Sequence, residues 1–211
     1  MGTLTLYAIS LEDVRQWFGA PQPWSTTLLE DAEKVAHEQA KPALIGRIGP
    51  LFKHPVAPIM ELPGPTMGDA NALVEGRAIA ADRLGPAWVI VRHWCDSTSF
   101  GSVAITLEQQ QLALLDFTLV SGGLSSQFSL ETIIARDPHL PLLPAPGMSV
   151  GWMPGDHAVR AASQWGAAVQ SAALREDIRE AADAVHGFFQ LPDWTQPSDE
   201  ALPPDVLALY Q

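Results

Sequence analysis

Apolar and polar positions alternate over Thr3–Ile9, with Leu4, Leu6 and Ala8 on one side and Thr3, Thr5, Tyr7 and Ile9 on the other, which predicts a first strand. Ser10-Leu11-Glu12-Asp13 then reads as a helix start, and Leu11, Val14, Trp17 and Phe18 share one face until Gly19 and Pro21. A second helix is predicted from Ser25, with Leu28, Ala32, Val35 and Ala36 as its apolar stripe, stopping before Pro42. Residues 42–65 break the periodicity. Pro42, Pro50, Pro55, Pro58, Pro63 and Pro65 alternate with Gly46, Gly49 and Gly64, so no long element fits there. The same stretch carries Leu44, Ile45, Ile48, Leu51, Phe52 and Val56, and is too apolar for a plain linker. It reads as a long loop packed on the body, or as a lid or partner-binding loop.

Thr66-Met67-Gly68-Asp69 repeats the helix-start pattern, and Met67, Ala70, Leu73, Val74, Ala80, Ala81 and Leu84 continue at helical spacing up to Gly85-Pro86. Ala87–Trp94 is apolar on both faces through Trp88, Val89, Ile90 and Val91, which predicts a central strand covered on both sides. Gly101–Leu107 reads as its hairpin partner. Thr106–Thr118 fits either a helix or a continued strand, with a short helix favoured. Ser129–Arg136 suggests helical turns before the proline-rich loop 138–147, and Met148–Trp152 a last strand. From Asp156 a stripe through Trp165, Val169, Ile178, Ala182, Val185 and Phe189 predicts a long C-terminal helix, with Gly166 as the place for a bend or break. The tail, 190–211, reads as loop with Trp194 as an anchor and one terminal turn at Asp205–Tyr210.

Strands and helices mix without a βαβ rhythm. The expected fold is α+β: one domain over 1–211, a mixed or antiparallel central sheet packed by several helices, and proline-rich loops. The chain has 211 residues, 47% of them hydrophobic, which excludes a disordered protein and suffices to bury about 70% of the unfolded surface. Its single cysteine, Cys95, excludes an internal disulfide framework. The N-terminus lacks the basic and apolar regions of a signal peptide, and prolines interrupt the longest uncharged stretch, Pro138–Gly155. A soluble cytoplasmic protein, away from membranes, is therefore expected. Arginine outnumbers lysine and Asn71 is the only asparagine, the bias of a GC-rich bacterial genome.

The formal charge is −12, and half of it lies in residues 171–211. An acidic body repels phosphate backbones, so nucleic acid is not expected as a partner, whereas a basic protein would be attracted. Gly-x-Gly-x-x-Gly, the Walker phosphate loop and the Gly-x-Ser-x-Gly elbow are all absent, and His37-Glu38 lacks the second histidine of a zincin. No cofactor and no metal are expected.

The densest polar cluster is Arg92–Ser99. There His93 and Asp96, with Ser97 or Ser99 as hydroxyl, form the candidate site of a cofactor-independent hydrolase. The leading expectation is different: a non-catalytic interaction protein, of the immunity, antitoxin-like or accessory-subunit kind. Its partner surface would be built on Trp24, Phe52 and Trp194, since aromatic side chains anchor interfaces.

Overall fold

The computed structural model describes residues 2–40, 64–197 and 202–211. Phe52 and nearly all of the 42–65 segment lie outside them. The fold is α+β, built on one antiparallel sheet of four strands in the order β2-β1-β4-β3: β1 (Gly2–Ile9), β2 (Gly101–Leu107), β3 (Ser149–Met153) and β4 (Asp205–Tyr210).

Each face of the sheet packs against its own layer of helices. Leu4, Leu6 and Ala8 of β1 join Val206 and Ala208 of β4, Ile105 and Leu107 of β2, and Met153 of β3. Over them lie α5 (Gln109–Ser121), α6 (Leu130–Ala135), α7 (Gly155–Ser171), α8 (Glu176–Phe189) and α9 (Pro192–Thr195). Tyr7, Ile9, Leu207 and Leu209 point the other way, into a second core under α1 (Leu11–Gln16), α2 (Trp24–Ala40), α3 (Met67–Val74) and α4 (Leu84–Thr98). The strands buried on both faces are thus β1 and β4. In β4 the unbroken run Val206-Leu207-Ala208-Leu209, each residue at most 2% exposed, is the pattern such a strand requires.

This corrects three expectations. Ala87–Trp94 is the middle of α4, not a strand, and β2 pairs with β1 instead of forming a hairpin with it. Leu84, Ala87, Trp88, Val91, Trp94 and Cys95 recur at three- and four-residue steps and are all buried, so the helical period is present beneath the apolar run. Pro86 sits in the first turn, where the missing amide costs nothing. Second, the terminal turn is the central strand β4. Third, the helix expected over 67–84 ends at Val74, where Gly76 takes a left-handed φ of 66°, which favours glycine.

The stripe from residue 156 to 189 is two helices, broken at 172–175 and not at Gly166. Gly166 lies inside α7 and close to α8: a Cβ there would lie 3.0 Å from His186 Nε2. The break follows from tertiary contacts. Ser171 Oγ donates to the Gly122 carbonyl at 2.5 Å, and the Gly122 position is packed against Ala172.

One side chain ties the two layers together. Asp205, at the start of β4, accepts from the Leu11 amide at 3.0 Å through Oδ2 and from the Gly155 amide at 2.8 Å through Oδ1. A single carboxylate thus caps the first turns of α1 and α7, on opposite sides of the sheet, where the free amides and the helix dipoles both favour an anion.

Candidate binding site

A groove of about 600 Å³ lies between α6, β3 and the chain joining them. Residues 136–148 contain no helix or strand, and their prolines cannot continue either neighbour. The segment is held from behind. Arg15 Nη2 donates to the Pro138 carbonyl at 2.8 Å, and its guanidinium lies 5.7 Å from the Trp152 ring centroid. Trp88 Nε1 donates to the Leu143 carbonyl at 2.9 Å. The Met148 amide closes a turn onto the Ala145 carbonyl at 2.9 Å. Between these ties Leu142 is buried and Leu143 is 71% exposed, so an apolar side chain is held out in water on a braced backbone.

At the other end of the groove Asp137 holds His139 twice. Oδ1 accepts the His139 backbone amide at 2.7 Å, and Oδ2 lies 3.3 Å from Nδ1. His139 is the one non-glycine residue among those described with positive φ, 53°, a backbone conformation that costs a residue with a Cβ about 1 kcal/mol. Among the described residues no hydroxyl or thiol is hydrogen-bonded to this imidazole.

The α6 wall of the groove is fixed by a second buried carboxylate. Asp116 of α5, 4% exposed, accepts from the Leu130 amide at 2.9 Å and the Glu131 amide at 2.6 Å, and so caps a helix on another element. Burial pushes its pKa up to about 6, and the two amides offset only part of that rise.

The residues singled out in the sequence lie elsewhere. His93, Asp96 and Ser97 share one side of α4, and Ser99 follows its end. They do not assemble. No hydrogen bond or ion pair joins the His93 imidazole to the side chains of Asp96, Ser97 or Ser99. Asp96 Oδ1 instead accepts from Tyr7 Oη at 2.9 Å, and Ser97 Oγ donates back to the His93 and Trp94 carbonyls. Burial, and then Asp96, hold the Tyr7 phenol protonated, and burial pushes the Cys95 thiol far above its ordinary range, which leaves it inert.

Trp24, the first residue of α2, is 59% exposed beside a small hollow lined by Trp17 and Pro21. Trp194 is no surface anchor: it is 1% exposed, its Nε1 donates to the Pro204 carbonyl at 2.8 Å, and its ring packs on Phe188 and Phe189. Among the described residues no three His, Cys, Asp or Glu side chains gather as metal ligands, and no helix is long and apolar enough to cross a membrane.

Sequence reasoning missed the groove. Its only signal was the density of prolines over 138–146, and nothing in the residue types marks His139 as left-handed. Comparison with protein-family models, with curated proteins and with solved structures finds no match.

Proposed function

We propose that the protein is a non-catalytic interaction protein of the cytoplasm, and that it docks a protein partner in the groove of residues 134–150. The observation that carries this reading is Leu143, exposed on a backbone anchored by Arg15 and Trp88. A pre-ordered apolar contact beside a concavity loses little entropy on binding, which is what a docking surface needs. The charge of −12 favours a basic partner, steered in by the acidic body. Immunity and antitoxin-like inhibitors and accessory subunits work in this way. The exposed Trp24 is a second contact that such a partner can use. A buried, unpaired Cys95 suits a reducing compartment.

The alternative, a cofactor-independent hydrolase at residues 92–99, has less support, because the hydroxyl and carboxylate there are already engaged with other groups. The test is capture of partners on immobilised protein at low and at high salt, with wild type beside Leu143→Ser. The reading expects a basic protein retained by wild type at low salt, released by high salt, and lost with Leu143→Ser. Nothing retained at low salt, or equal retention by the variant, overturns it.

A further inference from the structure

The two edges of the sheet are finished differently. On β3 the outward Trp152 amide donates to the Arg136 carbonyl at 3.1 Å. At Gly151 the backbone of α6 is so near that a Cβ would lie 2.1 Å from the Ile133 carbonyl oxygen. This edge is sealed by α6. On β2 the direction of the amides follows from the ladder. Thr3 exchanges both backbone hydrogen bonds with Gln211, on the β4 side, so the amides of Leu4, Leu6 and Ala8 face β2. Their partners Ile105, Val103 and Gly101 face back, and the amides and carbonyls of Ser102, Ala104 and Thr106 point away from the sheet.

No backbone hydrogen bond reaches those outward groups from any described residue, and all three residues are exposed. Val103, Ile105 and Leu107 lie on the opposite face, under α5 and α8. Edge strands are normally blunted by a charge, a proline or a bulge. Gly101–Leu107 contains neither charge nor proline, and its register with β1 is continuous.

We propose that β2 pairs edge to edge, antiparallel, with β2 of a second copy of this chain. The strand is complementary to itself about Ala104. A two-fold axis through that residue sets Ala104 against its own copy and Ser102 against Thr106, and each such pair faces the other with both its amide and its carbonyl. Ser and Thr opposite one another pair favourably, and no like charges are brought face to face within the strand. The small side chains let the two edges approach. Phe100, 63% exposed at the strand's start, then lies beside the far end of the paired strand. The product is one continuous sheet through both copies. A foreign peptide has no such two-fold match. The acidic bodies repel, so pairing tightens as salt rises, the reverse of what the basic partner in the groove would show.

Light scattering on the full chain tests this, with wild type beside Ala104→Pro and Thr106→Lys. Proline is tolerated where the amide points off an edge, so Ala104→Pro removes the pairing and not the monomer fold, while Thr106→Lys places on the edge the long, strongly hydrated side chain that natural edge strands use against pairing. The expected result is wild type at twice the 22.7 kDa chain mass, with the larger species favoured by salt, and the variants at 22.7 kDa with an unchanged far-ultraviolet spectrum. Wild type at 22.7 kDa at the highest concentration and salt reached overturns the proposal, whether the edge stays bare, is covered by another part of the chain or awaits a different partner. So does a folded Thr106→Lys variant that keeps the double mass.

Discussion

β3 and β2 are both outer strands of one sheet, yet they live under opposite constraints. The β3 side is crowded. α6 is held down by Asp116, the strand is sealed by Arg136, and the proline-bearing segment behind it is tied to Arg15 and Trp88. The β2 side is simple, with one covered face, one exposed face and a row of amides that no described residue pairs. What separates them is close backbone packing. Where backbone meets backbone, no side chain fits and the structure is fixed. Where the neighbour is a flexible side chain, the strand tolerates change.

A matched pair of substitutions gives the largest contrast. Gly151→Ala forces a methyl onto the α6 backbone and is expected to cost about 3 kcal/mol or more in urea unfolding. Gly101→Ala meets only the tip of Leu191, at 3.0 Å, and should cost less than about 1 kcal/mol. Similar losses would erase the distinction between the edges.

Asp116 sharpens the same comparison. Asp116→Ala leaves the first amides of α6 without a buried partner and should cost about 2 kcal/mol, loosening the groove wall but not β2. Its titration has a defined sign. The folded pKa, about 6, lies above the ordinary 3.8, so this group's contribution is complete below about pH 4 and is lost as pH rises through about 6. The shift corresponds to at most about 3 kcal/mol. The stability advantage of wild type over Asp116→Asn should therefore shrink between acid and neutral pH. An advantage that grows instead would mean that the amides hold the carboxylate ionised.

Asp69 behaves in the opposite way. Burial disfavours its charge, but Arg83 and Thr66 outweigh that and hold the carboxyl below its usual range. Its contribution is present above the unfolded pKa and is lost as the solution is acidified through the lowered folded value, so Asp69→Asn should flatten the acid limb of the unfolding curve. The smallest effect belongs to Leu143→Ser, which should change stability by less than about 0.5 kcal/mol, since the side chain is exposed, while removing the docking contact.

The sequence carried some of this and hid the rest. β1 was legible because its alternation is local, and the α2 stripe of Leu28, Ala32 and Val35 is buried as its spacing predicts. α4 was read as a strand because Trp88-Val89-Ile90-Val91 is contiguous and β-branched, and a short apolar run does not by itself distinguish a buried helix from a buried strand. β4 was read as a terminal turn because its four apolar residues show their meaning only once their partners in β1 and β3, far from them in the chain, are known. The clamps at Asp205 and Asp116 depend on chain segments that local reading does not connect. The groove was hidden for the same reason: its floor is β3 and its brace is Arg15.

Amide hydrogen exchange in the Thr106→Lys variant, where β2 no longer pairs, puts the two edges side by side in one spectrum. The account predicts slow exchange at Trp152, whose amide is held by the Arg136 carbonyl, and exchange near the free-peptide rate at Ala104, whose amide points off the sheet. A protected Ala104 in that variant, or an unprotected Trp152, would contradict it.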